Sequence, residues 1–175
     1  MHPAFSVIFF TVTSGAGYGL IALLCLFNFL YLGMLFDKTN FLIFSGISAA
    51  LFTMGLISST FHLANPKNAW RAFMRFRTSW LAREGLLAIL FYPTLFLYLI
   101  LIYFDFYKEY FLIMQLYSVY IFFFAILIIY CTGMIYACLK TIPQWNTIWT
   151  PINYITIGVY LGSLIFFLLL SINEY

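Results

Sequence analysis

GLLAILFYPTLFLYLILIYF, residues 85–104, decides the fold. None of its twenty positions is Lys, Arg, Asp, Glu or His. About 20 consecutive apolar residues is the length of a helix that crosses a bilayer. The run is too long and too uniformly apolar for the alternating strands of a barrel. Working upstream, a polar stretch precedes it, then a second apolar run at about 41–63, then a first within 5–36 that ends at Asp37-Lys38. Downstream, Asp105-Phe-Tyr-Lys108-Glu109 forms a short polar turn. An apolar run at about 111–139 follows, then a loop from Lys140 to Thr150 with Pro143, Trp145 and Trp149, and a last run at about 151–172. The chain therefore reads as an all-α, integral membrane helix bundle of about five transmembrane helices in one domain, 1–175. Composition agrees: 7% of residues are charged, against about 25% in a soluble domain. No Lys or Arg precedes the first run, and that run is far longer than the 7–15 residues of a signal-peptide core. It is expected to remain as a span.

The polar stretch before residue 85 is FHLANPKNAWRAFMRFRTSWLAREG, residues 61–85. Five of the eight Lys and Arg residues lie in it: Lys67, Arg71, Arg75, Arg77 and Arg83. His62 opens it and Glu84 closes it. Five spans put the 64–83 loop and the 140–150 loop on one side, with six basic residues against Lys38 and Lys108 on the other. Excess Lys and Arg marks the cytoplasmic side, so the basic loop is predicted to be cytoplasmic. The net charge of +3 is confined to one loop, which points to a membrane surface or a protein partner and not to nucleic acid.

Small residues thin the first two spans. Ser14, Gly15, Ala16, Gly17 and Gly19, with Ser45, Gly46, Ser48, Ala49 and Gly55, allow close helix approach; alternatively they leave room for a flat ligand. Cys25, Cys131 and Cys138 form no CxxC pair and read as small buried apolar residues. The many Phe and Tyr residues read as lipid-facing filler and interfacial belts.

Ionisable groups at the mouth of a membrane bundle mark functional positions. His2, His62, Asn65, Arg83, Glu84, Trp149, Thr150 and Asn153 all fall on the basic side. A histidine and a carboxylate at one rim suit proton exchange between water and a buried redox ligand. In the plainer alternative, His62 anchors a helix end and Glu84 pairs with Arg83 or Arg71. Arg71, Arg75 and Arg77, interleaved with Trp70, Phe73, Phe76 and Trp80, read either as a lipid-surface anchor or as a landing patch for a peripheral subunit. A bis-histidine haem needs two apposed imidazoles, and His2 and His62 are poorly placed for that. No phosphate loop, HExxH or nucleophile elbow occurs. A transporter would place charges deep in the spans. Asn28 and Gln115 are the main polar side chains there, which argues against an ion path.

MHPAFSVIFFTVTSGAGYGL (1–20), SSTFHLANPKNAWRAFMRFRTSWLAREG (58–85) and TIPQWNTIWTPINY (141–154) occur in order. Together they resemble the anchor subunit family of dimethyl sulfoxide reductase. The HLxNPxxAWRAFxRxxxSWLxRE and PxWxxIWTP patterns carry the likeness over essentially the whole chain. The resemblance implies a multi-pass subunit of the bacterial inner (plasma) membrane. A molybdopterin catalytic subunit and an iron–sulfur subunit would dock on it, and it would exchange electrons with the quinone pool, menaquinone or ubiquinone. It implies that His62 and Glu84 belong to the quinone site. A family arginine after the proline is replaced by Asn68, with Arg71 and Arg75 nearby. Family members usually have eight spans; here a four-helix unit, which carries the quinone site, is followed by one more.

The resemblance thus leads to an expected quinone head group at the basic face, between the first, second and third spans. His62 would bond one carbonyl and Glu84 would carry protons, with Arg71 and Arg75 beside them. Lys67, Trp70, Arg77, Trp80 and Arg83 are expected to dock the iron–sulfur partner. The chain itself is expected to hold no haem, metal or catalytic residue. Two rivals stand: the anchor of a sulfite:quinone oxidoreductase that delivers electrons to quinone, and a structural tether without its own redox site.

Overall fold

The computed structural model describes residues 5–30, 37–60 and 74–173. Among them lie six helices and no strand: α1 Phe5–Leu30, α2 Lys38–Thr60, α3 Trp80–Tyr103, α4 Phe106–Glu109, α5 Phe111–Ala137 and α6 Trp149–Asn173. All but the one-turn α4 are long and apolar enough to cross a membrane. The bundle of about five spans is borne out.

The third span begins earlier than its apolar run. Ser79 sits in extended backbone (φ −119°, ψ 123°) and its hydroxyl accepts from the Ala82 amide at 3.4 Å, which is N-cap geometry. Trp80, Arg83 and Glu84 consequently belong to α3, not to the loop that hydropathy outlined. At the other end, Asp105 takes a left-handed conformation (φ 59°) of the kind Asp tolerates and turns the chain into α4. Lys38 Nζ donates to the Tyr103 carbonyl (3.1 Å) and to Asp105 Oδ2 (2.9 Å), tying the start of α2 to the end of α3. That hydrogen bond holds the exposed Asp105 carboxyl below the usual aspartate range.

α1 lies at the centre, against α2, α5 and α6, while α3 packs mainly on α5. The close approach depends on glycine. A Cβ on Gly19 would stand 2.1 Å from the Gly158 carbonyl oxygen, and one on Gly17 would stand 2.7 Å from the Phe52 amide nitrogen. Gly46, read as a packing residue, meets nothing within 4 Å.

Seven residues is close to two helical turns, so residues spaced by seven share a face. Three helices use that spacing for their buried face: Ser14, Ile21 and Asn28 on α1; Glu84, Phe91 and Tyr98 on α3; Ser118, Ala125 and Thr132 on α5. The core is thereby layered, with a polar group near each rim and an apolar layer between. Tyr18 stacks on Phe52 in that middle layer (ring centroids 4.7 Å), and Phe91 meets both edge-on (5.5 and 5.7 Å) and Phe124 at 5.3 Å. These aromatics are core residues and not lipid-facing filler. Their rings fill the space that the small residues of α1 leave beside it. The expectation for the cysteines holds at Cys25 and Cys131, whereas Cys138 caps α5 and is exposed.

Candidate functional site

Glu84, on α3, faces α5 and is only 4% exposed. Among the described residues it is the one buried Asp, Glu, Lys or Arg. Thr132 Oγ1 hydrogen-bonds its Oε1 and also lies 3.2 Å from the Ile128 carbonyl. A buried carboxyl is costly unless paired or hydrogen-bonded, and the described residues offer it a hydroxyl instead of a cation. Arg83, the suggested ion-pair partner, is committed elsewhere. It donates to the Phe76 carbonyl (2.9 Å) and the Arg77 carbonyl (2.7 Å) and lies 4.1 Å from the Trp80 ring centroid. Arg83 and Trp80 therefore staple the 74–78 turn onto α3. Both side chains are thus engaged within the chain while remaining partly exposed.

Arg75 and Arg77 are exposed on that turn. No hydrogen bond or ion pair joins either side chain to Glu84 among the described residues. Trp149 and Asn153 are exposed too, and Thr150 donates to the Trp145 carbonyl at 2.7 Å. His62, Lys67, Trp70 and Arg71 lie outside the described residues, as do His2, Asn65 and Asn68.

A cavity of about 240 Å³ adjoins the Glu84–Thr132 pair. It lies between α1, α5 and α6, and Thr11, Ser14, Tyr18, Thr132 and Tyr154 are among the residues that line it. Val12 and Ile157, each about half exposed, form its outer edge. Between the first three spans, Tyr18, Phe52, Phe91 and Tyr92 pack together at mid-bundle, the last two on α3.

The chain matches the family model described as DMSO reductase anchor subunit (DmsC) over residues 1–175. It belongs to that family. Among curated proteins, this anchor-family chain is similar to a sulfite dehydrogenase subunit of Allochromatium vinosum, with 31% identity over 182 residues. The match covers 94% of this chain and 54% of that protein, so the chain spans about half the length of its relative. No solved structure matches.

Sequence reading missed three site residues of this anchor-family chain: Tyr18, Thr132 and Tyr154. The first had a signal, a phenol set among the glycines of SGAGYGL. The second had a weaker one, a hydroxyl seven residues along α5 from Ala125 and fourteen from Ser118. Tyr154, stacked on Tyr136 with centroids 5.3 Å apart, had none.

The same bundle carries a second polar cluster at its other end. Asn28 Nδ2 donates to the Tyr98 hydroxyl (2.9 Å) and to Ser118 Oγ (3.3 Å), Tyr98 bonds Ser118, and Gln115 Nε2 donates to the Asn28 carbonyl (3.3 Å). The buried Tyr107 hydroxyl lies nearby on α4, and burial pushes its pKa up. Glu84 and Tyr98 are fourteen residues apart, about 21 Å along the α3 axis.

Proposed function

We propose that the chain is the membrane anchor of a molybdoenzyme complex and exchanges electrons between the quinone pool and a docked iron–sulfur subunit. The observation that carries this reading is the buried Glu84 carboxyl, hydrogen-bonded to Thr132 beside an apolar cavity at the edge of the bundle. Quinone oxidation and reduction move two protons with two electrons, so the site needs a group that accepts and releases protons away from bulk water. A carboxyl with a hydroxyl partner can do this. Membership of an anchor-subunit family supports the partner assignment. The exposed Arg75 and Arg77 leave two guanidinium groups for an acidic partner surface, with Arg71, Lys67 and Trp70 in the same loop. His62 is assigned to the quinone site by its motif alone.

The named relative favours a specific variant of this reading: delivery of electrons to quinone, as in a sulfite-oxidising complex. The excess of Lys and Arg in the 64–83 and 140–150 loops supports it, because it puts the docking loop in the cytoplasm. A topology reporter fused within the 64–83 loop tests the side. A periplasmic location would favour the reductase arrangement.

Glu84→Gln in the assembled complex tests the site. Quinone-coupled turnover is expected to fall by about 10²–10⁴-fold, while turnover with a soluble dye, which bypasses the anchor, persists. Unchanged quinone-coupled turnover would remove Glu84 from the site, whereas absence of quinone-coupled turnover in the wild-type complex would leave the tether reading in its place.

A further inference from the structure

We propose that Thr132 is the positioning residue of the Glu84 site: its single hydroxyl proton turns between the Glu84 carboxylate and the Ile128 carbonyl as Glu84 loses and gains a proton. This rests on the quinone reading above. It goes beyond that reading by assigning the group that lets a buried carboxyl change its charge without leaving a polar atom bare.

A threonine hydroxyl carries one proton and two lone pairs. Two acceptors stand around this one: Glu84 Oε1 and, at 3.2 Å, the Ile128 carbonyl. One proton serves one of them well at a time. With Glu84 ionised it goes to the carboxylate, because a charge-assisted bond is the stronger. With Glu84 protonated, the carboxyl O–H donates to Thr132 Oγ1, and the threonine proton turns to the Ile128 carbonyl, the i−4 acceptor that threonines in helices commonly use. The transferred proton rests on Glu84 alone. Thr132 keeps its own, and only its O–H rotates.

The surroundings make this matter. Ala88 and Phe91 on α3 and Ile128 and Ile129 on α5 are each 2% exposed or less. In such packing a donor or acceptor without a partner is costly. The titratable groups within electrostatic reach of Glu84 are Tyr18 on α1, Cys131 and Tyr136 on α5 and Tyr154 on α6. None is a cation, and none is hydrogen-bonded to the carboxyl among the described residues. Arg83 is held by the Phe76 and Arg77 carbonyls. The role therefore falls to Thr132. Its place is fixed by backbone contact between α5 and α6, where a Cβ on the adjacent Gly133 would stand 2.5 Å from the Pro151 Cα.

The test compares two variants of the assembled complex in membranes. Thr132→Val keeps the shape and deletes the hydroxyl; Thr132→Ser keeps the hydroxyl. Thr132→Val should lower quinone-coupled kcat by about 10–100-fold, the worth of one hydrogen bond to a charged group. Its KM should stay within about twofold, and dye-coupled turnover should be unchanged. Thr132→Ser should stay within about threefold of wild type. Infrared difference spectra give a second readout. The carboxyl C=O band that Glu84→Gln abolishes should move to the frequency of an unbonded acid in Thr132→Val and stay in place in Thr132→Ser. A packing role alone would move the thermal midpoint and leave this band where it is. If the valine complex does not assemble, Thr132→Ala is read against Thr132→Ser in the same way. If Thr132→Val keeps wild-type turnover and band while Glu84→Gln abolishes quinone-coupled turnover, only this inference falls. If serine behaves as valine does, the hydroxyl is not what matters and the inference is overturned. If Glu84→Gln itself leaves quinone-coupled turnover unchanged, the reading of Glu84 falls first and takes this inference with it.

Discussion

The two polar layers of the bundle are built from the same three helices at the same seven-residue spacing, yet they differ in kind. The layer around Asn28, Tyr98, Ser118 and Gln115 contains amides and hydroxyls that bond one another across α1, α3 and α5. None of these four carries a carboxylate or a cation, and the layer acts as interhelical glue. The layer around Glu84 has a carboxyl, a single hydroxyl partner among the described residues and a cavity beside it. Polar groups spent on one another hold helices together, whereas a polar group beside open space is available to a guest. The aromatic layer of Tyr18, Phe52, Phe91 and Phe124 keeps the two apart.

The largest expected contrast is functional. Glu84→Gln should cost about 10²–10⁴-fold in quinone-coupled turnover; Tyr98→Phe, at the other end, should leave it within about twofold if the far layer is glue. A comparable loss from both would mean that the layers act as one path. Next is the septum. Phe91→Ala removes a fully buried ring and should destabilise the fold by about 3–5 kcal/mol, read as a fall in thermal midpoint in detergent. An unchanged midpoint would show that the middle layer is not a packed barrier. Tyr98→Phe should itself cost about 1–3 kcal/mol, because Asn28 loses an acceptor and Ser118 a donor at a buried site. A neutral result would demote the far layer from glue to filler.

The smallest effect belongs to Lys38–Asp105. Asp105 has a depressed pKa when folded, so its contribution is present above the unfolded value of about 3.9 and is lost as pH falls through the folded value. Melting curves of wild type and Lys38→Met should differ slightly at neutral pH and converge below about pH 4. Divergence in acid would break that assignment.

Glu84 shows how far sequence reading reaches. Its motif position marked it, and its place between a basic loop and an apolar run put it at a rim. Its partner was not legible, because pairing with Arg83 and with Thr132 are equally consistent with the chain order. Only the packing of α3 on α5 turns Glu84 inward and leaves Arg83 beside Trp80 and the 74–78 turn. The layered core was written in the sequence as 84-91-98 and 118-125-132, but it is hard to see there. In a lipid-facing bundle the outer and inner faces are both apolar, so the usual contrast between buried and exposed sides of a helix disappears. The same masking made Tyr18, Phe52 and Phe91 look like lipid filler.

What the amino-acid order determined by itself is the set of five spans, their polar junctions and the family. Those follow from run length, the avoidance of charge in hydrocarbon and motif spacing, all local properties of the chain. Tertiary structure alone decided that Glu84 meets Thr132, that Tyr18, Phe52 and Phe91 pack together at mid-bundle, and that a cavity lies between α1, α5 and α6. These depend on helix phase and on glycine-mediated backbone contact between α1 and α6, which bring together residues more than a hundred positions apart.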